Sequence, residues 1–224
     1  MATTAATSVV FTKTLPASSA TSIAASQSPG AGAILINGSA VVNGVAVLDT
    51  YDELTNSEPG INVIITSGGD DSSITFTVYG TNSSGQTVSD TFAGANVGAA
   101  TSNISFVTVN RVTHTGSVAG TVTVGTTSSG ASRWITWDYL GEPPFNLSYF
   151  VQVVGTINYT VQYTFDDPNN LPPGVTTPFP INTIVANATA NQDSTISTPI
   201  IATRVVINSG NGMVRPRFIQ VGIG

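Results

Sequence analysis

The sequence predicts an all-β protein: two antiparallel β-sandwich or jelly-roll-like domains behind an extended N-terminal arm. Three observations predict it. The first is alternation. Ile157, Tyr159, Val161, Tyr163 and Phe165 share one parity while Asn158, Thr160, Gln162 and Thr164 share the other. A strand sends successive side chains to opposite faces, so this stretch would bury one face and wet the other. The second is spacing, because short apolar runs recur about every 8–12 residues with turn residues between them. The third is composition. Only 8% of the 224 residues are charged, against about 25% in ordinary globular chains, and Lys and Glu, the usual exposed helix formers, are scarce.

Residues 1–32 are rich in Ala, Ser and Thr, with too little apolar bulk to offset chain entropy alone. They read as an arm laid on a partner, with Val9, Val10, Phe11, Leu15 and Ile23 as its anchoring groups. Deleting residues 2–28 is then expected to leave both β domains folded. Residues 33–124 read as the first sandwich. Its strands are expected at Ala33–Ile36, Val41–Leu48, Ile61–Thr66, Ile74–Tyr79, Thr87–Phe92, Ile104–Val109 and Thr121–Val124. Asn37-Gly38, Asn43-Gly44 and Gly80–Gly85 supply turns. Residues 93–100 read as a Gly/Ala-rich loop, and Gly125–Gly130 as a turn at the domain boundary.

Residues 133–224 read as the second sandwich. Arg133–Asp138 is expected as a strand. Leu147, Tyr149, Val151 and Val153 then alternate ahead of Gly155-Thr156, so Phe145–Phe165 reads as an antiparallel hairpin. Asp166–Pro180 is a proline-rich loop, since proline cannot donate to a central ladder. Ile181–Ala186, Ser194–Pro199, Ala202–Asn208 and Val214–Val221 supply the remaining strands.

Charge and residue inventory exclude several functions. A net charge of −6 with six Lys and Arg in no run argues against nucleic acid. No cysteine is present, which removes disulfides and thiolate metal sites. No stretch reaches the roughly 20 apolar residues of a membrane helix, and MATTAATSVVFTKTLP lacks the basic and apolar regions of a secretory signal. The six Asn-X-Ser/Thr triplets fit chance in so Asn-, Ser- and Thr-rich a chain.

The residues that could carry chemistry are few. His114 is the sole histidine, so neither a zinc site nor a histidine-based triad has its partners. Asp70-Asp71 and Asp166-Asp167 are the groups that could hold Ca²⁺ or, as paired acids, hydrolyse a glycoside. Asp49, Asp52 and Glu53 form a third acidic cluster. Turn chemistry explains all three without a ligand. Trp134 and Trp137 would lie on opposite faces of one strand, one in the core and one meeting a neighbour or stacking on a sugar. Arg204, Arg215 and Arg217 put half the basic residues in the last strands, as a contact surface between subunits. The residues imply no enzyme and no cofactor.

The run Ile61–Gly85, continued by Gly94–Gly98, Phe106–Arg111 and Gly120–Gly125, resembles structural proteins of tailed bacteriophages. Trp137-Asp138, Pro144–Leu147 and Tyr159–Asp167 resemble small phage virion proteins in the same way. The resemblance covers about residues 34–222 and contains no catalytic fingerprint. It implies a virion structural protein, made in the host cytoplasm, whose partners are the major capsid protein or other virion proteins. Lacking helices, a stalk or long repeats, the chain fits a head decoration or cement protein better than a tail, neck or fibre component. A trimer is the expected oligomer, because capsid seams converge on three-fold points and closed symmetry repeats a single interface. A carbohydrate-binding module is the third reading, resting on the tryptophans and acidic loops.

Overall fold

The computed structural model describes residues 5–10, 13–48, 60–140, 144–172, 178–179 and 181–223, with side chains placed for residues 15–221 of these. All regular structure among them is β. In chain order the strands are β1 (Ala5–Val10), β2 (Lys13–Thr14), β3 (Ser19–Gln27), β4 (Gly32–Ile34), β5 (Val41–Val42), β6 (Val45–Val47) and β7 (Gly60–Asp70). Next come β8 (Thr75–Thr81), β9 (Thr87–Ala93), β10 (Asn96–Phe106), β11 (Thr108–His114), β12 (Val122–Ala131) and β13 (Ile135–Thr136). The last are β14 (Asn146–Val154), β15 (Ile157–Thr164), β16 (Ile181–Ala188), β17 (Gln192–Ile196), β18 (Ala202–Gly210) and β19 (Met213–Ile223). Contacts divide the chain into two units. The first runs from Pro16 and closes at Ala131; the second combines the segment ending at Leu15 with that beginning at Ser132.

In the first unit, β7 lies between β10 and β12, with β3 also on β12, while β5-β6-β11-β8-β9 form another sheet with β4 on β11. Alternation selects the core. Ile61, Val63 and Ile65 of β7 are fully buried, as are Phe76 and Val78 of β8, and their opposite-parity neighbours are half-buried. Asn43 and Gly44 both have positive φ, 51° and 80°, which a two-residue type I′ hairpin between β5 and β6 requires. β8 and β9 form the other hairpin, in register from Thr81↔Thr87 to Thr75↔Ala93.

Three expectations for this half are corrected. Gly125–Gly130 is not a turn but the continuation of β12, whose pairing with β7 shifts register between Thr126 and Gly130. Gly130 fits there because a Cβ would stand 2.2 Å from the Gly60 carbonyl oxygen. Residues 93–100 are not an open loop either, since β10 starts at Asn96. Residues 19–27, read as part of an arm, form β3 on β12, with Ile23 and Ala24 fully buried. Its small polar residues made this segment look unstructured, yet Thr21 and Ile23 suit a pleated sheet and pairing with β12 supplies the burial. Removing residues 2–28 therefore takes a paired strand out of this unit.

In the second unit one sheet has the order β1-β19-β14-β17, with β2 also on β19. Another has β18-β15-β16, with β13 on β18. Leu147, Tyr149 and Val151 of β14 and Val214 and Phe218 of β19 are buried, as are Ile157, Tyr159 and Val161 of β15 and Val205 and Ile207 of β18. Phe218 is the meeting point, 5.7 Å from the Trp137 ring and 6.2 Å from that of Tyr149. The expected hairpin of residues 145–165 is corrected here. β14 pairs with β19 and β17, and β15 with β18 and β16, so Gly155-Thr156 carries the chain from one sheet to the other. Both strands were legible from alternation, but alternation specifies a face and not a partner. Thr160 and Thr164 are buried as well, and Phe165 is 41% exposed, so the alternating pattern fades at the strand's end.

Candidate functional site

The acidic pairs do not assemble. Asp70 is exposed and accepts from the Ser72 backbone N–H (3.1 Å) and hydroxyl (2.6 Å). Those bonds, the hydroxyl's above all, hold its carboxyl below the usual range. Asp71 points the other way, fully buried, its Oδ1 accepting the Ala119 N–H at 2.7 Å. Asp167 accepts the Asn169 N–H at 2.9 Å, a turn bond, and Asp166 accepts the Phe179 N–H at 2.8 Å, thirteen residues on. Among the described residues, no group of three or more His, Cys, Asp or Glu side chains is placed to hold a metal. Asp49, Asp52 and Glu53 lie outside the described residues. His114 is buried beside Phe76, its Nδ1–H donating to the Gly116 carbonyl at 2.6 Å.

The tryptophans separate as their parity requires. Trp137 is in the core of its own unit, 5% exposed, with Nε1–H donating to Thr203 Oγ1 at 3.0 Å, so it offers no contact surface. Trp134 carries the Arg204 guanidinium 4.5 Å above its ring, and Arg204 Nε–H donates to Gln162 at 2.8 Å. Burial pulls that guanidinium down to about 10, which leaves it charged at neutral pH. Of the expected arm anchors, Leu15 and Ile23 are buried within this chain. Val9 and Val10 fall in β1, paired with Phe218 and Arg217 of β19. Their side chains, and Phe11, lie outside the described residues.

Arg215 and Arg217 are the expected residues that do come together with others. β19 alternates strictly, burying Val214, Pro216, Phe218 and Gln220 and exposing Arg215, Arg217 and Ile219. Antiparallel register sets Arg217 opposite Phe150 and Arg215 opposite Gln152 on β14. Directly opposed residues project from the same face, so these four side chains share the outer face of the sheet. They line an open depression of about 230 Å³. Phe150 is 42% exposed there, with Asp193 opposite it on β17 and on the same face. Burial of Tyr149 on the inner face, with the Asp193 carboxylate a second cause, pushes its phenol up. Sequence reading missed Phe150 and Gln152. The available signal was parity: Phe150 is the aromatic of the wrong phase between Tyr149 and Val151.

No protein-family model matches the chain, and no curated protein matches it. Among solved structures, the STIV MCP aligns with 96% of this chain and 97% of its own, at 8% identity and a TM-score of 0.19. The structure of infectious bursal disease virus, Gx strain, aligns with 99% of this chain and 71% of its own, at 14% identity and a TM-score of 0.20. Likenesses at these scores carry no argument about the chain's role.

Proposed function

We propose that the chain is a non-catalytic structural protein of a bacteriophage virion, a head decoration or cement protein bridging seams between major capsid subunits as a trimer. One observation carries the reading: among the described residues, the two acidic pairs, the histidine and Trp137 are engaged in building the fold. Asp70 and Asp167 hold turns, Asp166 bonds the backbone of Phe179, Asp71 and His114 are buried in the first unit, and Trp137 is core. What faces water combines Ser, Thr and Asn with exposed apolar groups such as Leu35, Val97, Leu140 and Phe179, and carries few charges, a surface suited to contact with other subunits. β17, exposed along most of its length, lies at one end of its sheet order and offers an edge to which a neighbour can add. Cementing by added contacts needs buried area, which mass action converts into particle stability.

The test is a density map of the intact particle together with particles lacking this chain. Decoration predicts density at three-fold or quasi-three-fold head positions and earlier DNA loss on heating without the protein. Density confined to the tail vertex moves the assignment to a tail or neck component.

A further inference from the structure

We infer that the outer face of β14 and β19 is a binding site for a carboxylated sugar, taken one pyranose ring at a time; this does not depend on the virion reading. The footprint follows from the register. Arg215 and Arg217 are two residues apart on one strand, so their bases stand about 7 Å apart. Phe150 and Gln152 face them across about 5 Å. Four side chains at the corners of such a rectangle enclose space for a single six-membered ring. The depression of about 230 Å³ agrees, lying below the roughly 300 Å³ at which pockets admit drug-sized ligands.

The chemistry of the corners selects the ligand. Two guanidiniums present paired donors in the geometry a carboxylate accepts. They do so on a chain of net charge −6, and the two cations outnumber Asp193, which stands opposite Phe150 on β17 and shares this face, so the sign is locally reversed. Arg111 and Arg204, by contrast, are laid over Tyr79 and Trp134. Phe150 supplies an exposed aromatic face for the apolar C–H side of a sugar ring, and the Gln152 amide offers both the donor and the acceptor that hydroxyls need. An acidic peptide is the competing occupant. It fits less well because β14 pairs with β19 and β17, and β19 with β14 and β1, so the backbone here is already in ladders. A peptide could be held only through its side chains, without the main-chain bonds that strand addition supplies.

The experiment is an amide NMR titration of the full chain with sodium glucuronate, glucose, sodium acetate and a short peptide carrying alternate acidic residues. Glucuronate is expected to give saturable shifts in the Gln152 side-chain amide and in β14 and β19, with glucose and acetate each weaker by about tenfold or more. Phe150→Ala and Arg217→Ala should each weaken glucuronate by about tenfold, and Arg217→Lys should recover little, because a point charge does not reproduce the fork. Arg111→Ala should change nothing. The inference is overturned if glucuronate leaves these signals unmoved, if acetate or glucose binds as tightly, or if the peptide binds more tightly.

Discussion

The chain changes sheet several times in each unit, and one nested pair of these crossovers in each is secured differently. In the second unit the pair is Gly155-Thr156, between β14 and β15, and Asn211-Gly212, between β18 and β19. The N–H groups of Asn211 and Gly212 both donate to the Thr156 carbonyl, at 3.1 and 2.9 Å. Close backbone approach makes this possible: Gly210 has φ +108°, and a Cβ on it would stand 2.5 Å from that same oxygen. In the first unit the pair is residues 71–74, between β7 and β8, and Gly94-Ala95, between β9 and β10. Main-chain bonds join them too, Gly94 to Ile74 at 2.9 Å and Asp71 to Ala95 at 3.0 Å. Here a buried carboxylate adds to the clasp, with Asp71 Oδ1 reaching Ala119. Among the described residues, Asp71 Oδ2 and His114 Nε2 are buried without a hydrogen-bond partner. Both units omit a side chain at the corner, since a Cβ on Gly94 would stand 2.6 Å from the Asp71 carbonyl oxygen; the second adds left-handed backbone at Gly210, and the first adds a buried polar side chain. The lesson is that a sheet-to-sheet corner needs its carbonyls and N–H groups satisfied, by whichever means the local sequence permits.

Substitutions break the comparison at different depths. Gly210→Ala should cost the most, about 3 kcal/mol or more, since left-handed strain and a backbone clash act together. Urea unfolding followed by tryptophan fluorescence, both tryptophans lying in the second unit, measures it. An effect under about 1 kcal/mol would show that the corner relaxes freely. Asp71→Ala should destabilise the first unit by about 2 kcal/mol by leaving the Ala119 N–H without its acceptor. Hydrogen exchange at Ala119 and along β8 reads that loss separately from the second unit.

Alkali should act through the second unit. Burial, reinforced by Tyr149, pushes the Tyr159 phenol up to about 12 from an ordinary 10.0. Below pH 10 the phenol is protonated in folded and unfolded chains alike, and its contribution is complete. Between about 10 and about 12 the unfolded chain releases its proton first, so stability falls with rising pH. Tyr159→Phe removes the hydroxyl's bond to the Ala190 carbonyl, 3.0 Å. It should cost about 1 kcal/mol at neutral pH and flatten the alkaline slope; an unchanged slope assigns the loss to other groups. Gly85→Ala should matter least, about 1 kcal/mol. Gly85 closes an ordinary hairpin at φ +72°, with nothing within 4 Å of the Cβ position. The gap between Gly85 and Gly210 is the sharpest measure of how a crossover differs from a hairpin.

That gap also explains what could be read from residues alone. The all-β class was legible, because period-two alternation in β7, β8, β14, β15 and β19 is a local property. Partner choice was not. Gly155-Thr156 and Asn82–Gly85 look alike as turn signals, yet one changes sheet and the other does not, and the deciding contacts come from strands far along the chain. β3 was hidden because its apolar content is low and its burial is provided by β12. Arg215 and Arg217 were visible as a basic pair by composition. Phe150 entered the site only through cross-strand register, which no local pattern encodes.

The pairing of β1 with β19, Ala5 opposite Ile223, sets a timetable for biosynthesis. The first unit has all its strands once Ala131 is made. The second must wait for β19, whose first residue is Met213, although its earliest strand was made at the start. At roughly 5–20 residues per second, that wait is on the order of ten seconds. During it, β1 and β14 both lack the neighbour they will share, while the first unit can already be folded. A ribosome stalled shortly before residue 213 would therefore display the first unit with all its strands made and one set of open strand edges in the second, the state in which this chain is most exposed to aggregation.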